Sequence, residues 1–359
     1  MSEGPPRILF VPVSGKFGTG EYSRSLAIAQ GVASRWPGAA LLFLLSREAP
    51  YAGTAPVPTE LLDSSPTFHT GTVVDIINRW HPDVVIFDNA GRTAQLRAAK
   101  RAGARVVYIS SRPRQRNKGF RLRWMSILDE HWIAYPEFIA GALQFVERLK
   151  LNFMHRPEVR FLDVILARPS STGDVPRQSL AAQLGCEVGE YVLVVPGGGT
   201  GHPGAQDAVE EFVGAARLLA AAGIDTVFVG HASGATVPAC AGRLRLVGSL
   251  PQSELAELMR GARLVLVNGG STLLQAIACG KACIAVPIAG DQPERIRRCV
   301  NAGVASAAPL HSQTMARAVQ ELLKDEARSN ALAGRAIALG LADGVDVALR
   351  ALTHLLDAA

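Results

Sequence analysis

The sequence predicts an α/β protein made of two doubly wound parallel-sheet domains in tandem, with a cleft between them. Three observations carry this. Short β-rich apolar runs alternate with helical patterns along the chain, the rhythm of successive βα units. A polar, Pro/Gly-rich stretch at 168–176 interrupts that rhythm once, near the middle. Each half opens with a strand that runs into a glycine-rich turn and then a helix. The size agrees: 359 residues, 48% hydrophobic and 19% charged, exceed one ordinary core and are too apolar for disorder.

In the first half, strands are expected at 8–13, 40–45, 84–87, 106–110 and 131–135, with helices over 22–34 and 72–79. The second half repeats the pattern, with strands at 191–195, 226–229, 244–247, 264–267 and 282–286. Its helices are expected over 205–222, 252–260, 272–278 and 293–302, and the Ala-rich chain after Leu310 reads as helical to the end. This divides the chain into an N-terminal domain (1–166), a linker (167–180), a C-terminal domain (181–340) and a C-terminal helix (341–359). Both domains read as Rossmann-like, and ligands are expected at the carboxyl ends of the strands.

Several classes are excluded early. The start, Met1-Ser-Glu-Gly-Pro-Pro, does not read as a secretory signal, and no apolar stretch is long enough to span a membrane. The five cysteines, Cys186, Cys240, Cys279, Cys283 and Cys299, are odd in number and scattered, which suits reduced thiols in a cytoplasm. Cys279 and Cys283 lie four apart without companion ligands, so no metal site is expected. Lys and Arg exceed Asp and Glu by 37 to 31, a net charge of +6. Residues 1–150 carry +7 and residues 151–359 carry −1, so the surplus belongs to the first half.

The glycine turns are the first candidate sites. Gly15-Lys-Phe-Gly18-Thr19-Gly20-Glu21 precedes the first helix, and Gly197-Gly198-Gly199-Thr200-Gly201-His202-Pro-Gly204 precedes the helix at 205. Glycines let backbone N–H groups approach an anion at the positive end of a helix. Residues 199–204 match G-x-G-x-x-G, but the second strand of that half ends in Gly230-His231-Ala232 without the carboxylate a dinucleotide site wants. No P-loop motif occurs either. A nicotinamide enzyme and a P-loop ATPase are both disfavoured. His202 and His231 sit at strand ends, where each either touches phosphate or is a solvated loop residue.

The most specific stretch is 264–298. There a strand runs into Asn268-Gly269-Gly270-Ser271-Thr272, a helix follows with Gln275, and a second strand leads to Gly290-Asp291-Gln292-Pro293 and another helix. Two helix starts at consecutive strand ends offer N–H and hydroxyl donors to phosphate, and Asp291 and Gln292 suit sugar hydroxyls.

These motifs resemble GT-B glycosyltransferases that use nucleotide-sugars, the MurG-like class above all, and the resemblance spans nearly the whole chain. It implies that Gly269 and Gly270 to Thr272 meet the diphosphate, with Gly198 to Gly201 completing the cradle. Asp291 and Gln292 would hold the donor sugar. The segment Val247-Gly-Ser-Leu250-Pro-Gln252 is similar to the one whose backbone reads the base edge. Gln275 stands where the family usually has a ribose-binding glutamate. The histidine that often precedes the glycine pair is replaced by Val267 or Asn268.

The resemblance also implies an inverting transfer, which needs a base for the acceptor hydroxyl and positive charge for the departing diphosphate. With no DxD triplet and no His cluster, metal-independence and no cofactor are expected. Glu21 takes the position of the family's first-loop histidine and is the first candidate base, at a helix start that suits a carboxylate; merely satisfying the helix dipole is its structural alternative. Asp88, at the end of a strand, is the second candidate base; capping the next turn is its structural alternative. Gly18, Thr19 and Gly20 would border the acceptor.

Residues 112–125 hold Arg112, Arg114, Arg116, Lys118, Arg121 and Arg123 with no acid, interleaved with Phe120, Leu122, Trp124 and Met125. This mix suits an anionic phospholipid surface or a glycolipid acceptor better than nucleic acid, for which no module is recognisable; a solvated loop is the structural alternative. The expectation is a cytoplasmic hexosyl- or N-acetylhexosaminyl-type transferase, peripheral at the inner membrane face. It would move sugar from a nucleotide diphosphate sugar, UDP-linked, to a cell-envelope glycolipid or saccharide. A nucleotide-sugar hydrolase, a natural-product glycosyltransferase and a non-catalytic nucleotide-sugar-binding subunit are the alternatives. Homo-oligomerisation stays open.

Overall fold

The computed structural model describes residues 4–16, 19–166, 179–197, 205–230 and 239–357. The chain divides into two compact units, residues 1–165 with 342–359, and residues 166–341. Of the expected linker, residues 167–178 lie outside the described residues, and a helix begins at Leu180.

The first unit is built on seven strands: β1 (Arg7–Pro12), β2 (Ala40–Ser46), β3 (Thr59–Leu62), β4 (Val84–Asp88), β5 (Arg105–Ser110), β6 (Glu130–Ile133) and β7 (Glu158–Phe161). They pair in the order β3-β2-β1-β4-β5-β6-β7, parallel throughout. A parallel sheet covered on both faces needs strands that are apolar on both sides, and Ile8 to Val11 and Val84 to Phe87 are wholly buried. One face packs on the helix Gly20–Arg35 through Ile28 and Val32, the other on Thr70–Trp80 and Thr93–Arg101 through Val73, Ile77, Leu96 and Ala99.

The chain's last helix, Gly344–Asp357, belongs to this first unit. Its Ala348, Ala351, Leu352 and Leu355 join the core formed with Ile28 and Val32. Asp163 Oδ2 accepts from Ala342 N at 3.0 Å, and Gly344 N donates to Val164 O at 2.8 Å. Any Cβ at Gly344 would overlap Leu162 O, so this crossing admits only glycine.

The second unit holds β8 (Val192–Val195), β9 (Thr226–Val229), β10 (Ala239–Ala241), β11 (Leu244–Val247), β12 (Leu264–Asn268), β13 (Cys283–Val286) and β14 (Ser306–Ala307). Their order is β10-β11-β9-β8-β12-β13-β14, antiparallel at β10–β11 and parallel elsewhere. Its core packs Phe212, Ala216 and Leu219 of one helix and Met315, Val319 and Leu322 of another against Val194, Phe228, Leu266 and Ile284. Both sheets reverse strand order beside their first strand, between β1 and β4 and between β8 and β12. Ligands of doubly wound sheets bind at such switch points, outside the carboxyl ends of the strands.

Candidate functional site

At the first switch point β1 leads into the helix Gly20–Arg35, whose opening turn carries Glu21. Thr19 stands at the N-cap position, without a side-chain cap. Asn89 follows β4 with φ +52, a left-handed conformation that asparagine tolerates better than most residues. Its Nδ2 donates to Glu21 Oε1 at 2.8 Å and to Ser111 Oγ at 2.5 Å, and its Oδ1 accepts from Ser111 N at 2.9 Å. Both amide hydrogens of Asn89 are thereby spent, and the Glu21 carboxylate is held by one oxygen.

Beneath this layer lies an ion pair. Arg24 Nε and Nη2 donate to Asp88 Oδ2 and Oδ1 at 2.8 and 2.6 Å, with the Asp88 side chain 0% exposed. Burial is the strongest influence on Asp88 and pushes its carboxyl up to about 6, against the lowering by Arg24, with nearby Glu21 adding to the rise. On Arg24 burial is again the largest single influence, but Asp88 outweighs it and holds the guanidinium above its usual range. With both carboxylate oxygens accepting from the guanidinium, the pair is ionised at neutral pH.

An aromatic wall stands close by. Tyr22 and Tyr51 stack with centroids 4.0 Å apart, and the buried Tyr51 hydroxyl has no hydrogen-bond partner. Burial, with the charge of Glu21, pushes the Tyr51 phenol up and keeps it protonated.

At the second switch point β12 ends in Asn268. Its Nδ2 donates to Pro196 O at 2.7 Å, and its Oδ1 accepts from Gly270 N at 2.9 Å. One side chain thus ties the end of β8 to the start of the helix Ser271–Ala278. Gly197, at φ +87, has no room for a Cβ against Asn268, and a Cβ on Gly269 would lie 2.7 Å from Ile296 and 2.9 Å from Gln292 Cβ. Arg295 joins the next loop to this one: Nη1 donates to Gly269 O at 2.6 Å and Nη2 to Asp291 Oδ2 at 3.0 Å. The helices Ser271–Ala278 and Gln292–Asn301 therefore begin side by side, neither with a side-chain cap. The first-turn N–H groups of the helix Ser271–Ala278 and the positive ends of both helices suit an anion; in the second helix Gln292 N donates to Ala289 O at 3.0 Å and Pro293 has no N–H.

The structure brings together Gly269, Gly270, Ser271, Thr272 and Asp291, with Ser271 and the Asp291 carboxylate exposed. Gln292 departs from expectation. It is buried and its Oε1 accepts from Ile288 N at 2.9 Å, so that oxygen is committed to the loop after β13 rather than open to a sugar hydroxyl. Gln275 and Leu250 are half-buried, the latter just before the helix Gln252–Gly261. Gly18, Gly198, Gly199, Thr200, Gly201, His202 and His231 lie outside the described residues.

Three other expectations need correction. Asp88 does not face solvent as a free base, because Arg24 takes both its oxygens inside the unit. Arg116 is buried: Nε and Nη2 grip Glu147 at 2.9 and 2.6 Å, and Nη1 and Nη2 donate to the carbonyls of Ala140, Gly141 and Ala142. Trp124 is 1% exposed, with Nε1 donating to Thr93 Oγ1 at 3.1 Å and Lys118 Nζ 4.3 Å from its ring centroid. Arg112, Arg114, Arg121 and Arg123 remain exposed. Arg24, Asn89, Ser111 and Arg295 were not singled out from sequence; the only local signal was Asn89, placed between a strand-end Asp and Gly91.

Among the described residues, Glu130, Glu158 and His354 offer ligand atoms within 4.8 Å of one another. Arg160 pairs with both carboxylates, at 3.0 and 2.6 Å, and so supplies the positive charge itself. The group lies at the amino ends of β6 and β7, at the opposite strand ends from the switch point.

Residues 241–338 match the family model of Glycosyl transferases group 1. The chain is similar over nearly its whole length to several solved structures at low identity. One is a UDP-glucosyltransferase from Polygonum tinctorium capable of glucosylating indoxyl, with 13% identity, 99% of this chain and 100% of that one covered, and a TM-score of 0.68. CalG4, the calicheamicin glycosyltransferase, matches with 16% identity, 98% of each chain and 0.63. The spinosyn rhamnosyltransferase SpnG complexed with thymidine diphosphate matches with 16% identity, 97% and 100% covered, and 0.61. No curated protein matches the chain. The chain therefore has the GT-B fold, two Rossmann-like domains in tandem, and carries a segment matching the group 1 glycosyl transferases in the second of them.

Proposed function

We propose that the chain is an inverting, metal-independent glycosyltransferase that uses a nucleotide diphosphate sugar. The observation that carries this is the convergence of Gly269–Gly270 and Asp291 on Arg295, which sets two uncapped helix starts side by side at the switch point. In this reading the N–H groups after Gly270, with the Ser271 and Thr272 hydroxyls, bind the diphosphate and stabilise it as it departs. Asp291 accepts from a hydroxyl of the donor sugar, and the backbone near Leu250 meets the base, UDP being the nucleotide.

Glu21 acts as the base. Asn89 occupies Oε1, which leaves Oε2 to take the proton of the acceptor hydroxyl as that oxygen attacks the anomeric carbon. The sugar–phosphate bond breaks, and its electrons leave on the diphosphate. The MurG-like character of the donor motif and the excess of positive charge in the first unit support a cell-envelope glycolipid or saccharide acceptor, met in the cytoplasm at the inner membrane face. A second reading, a soluble natural-product acceptor, is favoured by the likeness to the calicheamicin glycosyltransferase and the spinosyn rhamnosyltransferase.

Titration calorimetry with UDP, dTDP and GDP, followed by mass spectrometry of transfer from the matching sugar nucleotides to envelope extracts, tests the proposal. UDP should bind and label a lipid-extractable product. Binding of none of the three would overturn the donor assignment, and free sugar released at full rate without acceptor would make the chain a hydrolase.

A further inference from the structure

The helix Phe145–Met154 displays an apolar stripe that sugar transfer does not use. Phe145, Val146, Leu149 and Phe153 are 72%, 55%, 57% and 78% exposed. At about 100° per residue these four fall within an arc of roughly 100° on the helix surface. Scattered single apolar residues on a surface need no explanation, but four on one helix face do.

The stripe is held outward by the opposite side of the same helix. Glu147 is buried and gripped by Nε and Nη2 of Arg116, and its Oε2 also accepts from Gln144 N at 2.8 Å, closing the helix start. Lys150 Nζ donates to Phe120 O at 3.1 Å. The helix is thereby fixed in rotation against the helices Pro113–Gly119 and Leu122–Met125. Leu122, 51% exposed, is flanked by the exposed Arg121 and Arg123, and Arg148 borders the stripe itself. Across residues 112–128 and 138–157 the only acid is Glu147, and it is spent on Arg116.

We propose that this face docks on an anionic lipid bilayer. The helix Phe145–Met154 would lie along the surface with Phe145, Leu149 and Phe153 among the acyl chains and Arg121, Arg123 and Arg148 at the phosphates. A second copy is the poorer occupant, because a twofold contact sets the same patch against itself and juxtaposes these arginines. The inference deepens the envelope-acceptor reading and rests on it only for its purpose, since vesicle binding needs no turnover.

Co-sedimentation of the full chain with phosphatidylcholine vesicles, with and without phosphatidylglycerol, tests it. Binding should require phosphatidylglycerol and weaken as salt is raised. L149S/F153S should lower the partition coefficient about tenfold or more, and R121Q/R123Q/R148Q should remove the dependence on anionic lipid. Both variants should unfold at the wild-type temperature, because the changed side chains are exposed, and nucleotide binding measured on the same samples reports the donor site separately. Wild-type-like vesicle binding by L149S/F153S would overturn the proposal. So would a wild-type dimer in sedimentation velocity that this variant dissolves, which would make the face a self-contact.

Discussion

Arg24 clamps both carboxylate oxygens of Asp88, at 2.8 and 2.6 Å, where no solvent reaches the carboxylate. The pair bolts the first turns of the helix Gly20–Arg35 to the end of β4. Glu21 lies one turn before Arg24 and Asn89 one residue after Asp88, so the bolt also sets the distance between those two. Removing half of such a pair leaves an uncompensated buried charge, a cost of about 3–5 kcal/mol. Arg24→Met should therefore destabilise the first unit strongly in urea denaturation, while Arg24→Met with Asp88→Leu should recover most of the loss. If the double variant is no more stable than the single one, the buried charge is not the cause.

His131 should be a main source of acid sensitivity. It lies wholly buried between Tyr108 and Phe120, and Ser110 Oγ is 2.8 Å from Nε2. Burial, with a contribution from Arg116, lowers it from 6.5 to about 3. Between those values the unfolded chain binds a proton that the folded chain refuses, so stability present above pH 6.5 drains as pH falls and levels off below about 3. The limiting slope is about 1.4 kcal/mol per pH unit. His131→Leu should flatten the stability profile between pH 6.5 and 4, measured by denaturant midpoints. A slope equal to that of the wild type would clear His131.

Gly269 and Gly290 should respond differently to alanine. A Cβ on Gly269 meets Ile296 and Gln292, so the start of the helix Gln292–Asn301 must move, whereas a Cβ on Gly290 meets nothing. Overpacking of this kind costs about 1–3 kcal/mol. On the proposed donor site, Gly269→Ala should weaken UDP binding about tenfold in calorimetry, for about 1.4 kcal/mol, and Gly290→Ala should leave it unchanged. Equal effects would detach the helix start from nucleotide binding.

The buried strands were legible because they are continuous apolar runs, Ile8 to Val11 and Val84 to Phe87 among them. The strands that went unread are β3, β7, β10 and β14, and each is an edge strand of four residues or fewer. An edge strand pairs on one side only, and a sequence such as Thr59-Glu-Leu-Leu62 carries too little pattern to declare it. Partners far along the chain were equally silent. Asp88 looked like an open strand-end carboxylate because Arg24 lies 64 residues away, and Arg116 looked like a surface cation because Glu147 lies 31 away. The return of the helix Gly344–Asp357 to the first unit rests on contacts with Ile28 and Val32 that no local periodicity encodes. The Gly269–Thr272 turn, by contrast, was legible because its chemistry is local: consecutive backbone N–H groups at a helix start.

Glu21 and Asn89 can be separated kinetically. Glu21→Gln keeps the size of the side chain and an oxygen for Asn89 but cannot take a proton. In the proposed reaction it should lower kcat by about 100- to 10,000-fold and leave UDP affinity as it was. Asn89→Ala removes the hydrogen bond to Oε1 and both links to Ser111, freeing the carboxylate to turn. It should lower kcat less than Glu21→Gln does, since the proposed base is still present, and again spare nucleotide affinity, because the proposed donor site lies in the other unit. Combining the two should cost little more than Glu21→Gln alone, because Asn89 acts through Glu21. Initial rates of UDP release, with calorimetry on the same four proteins, check this. Additive losses would show that Asn89 serves the reaction by another route, and a fully active Glu21→Gln variant would remove Glu21 as the base.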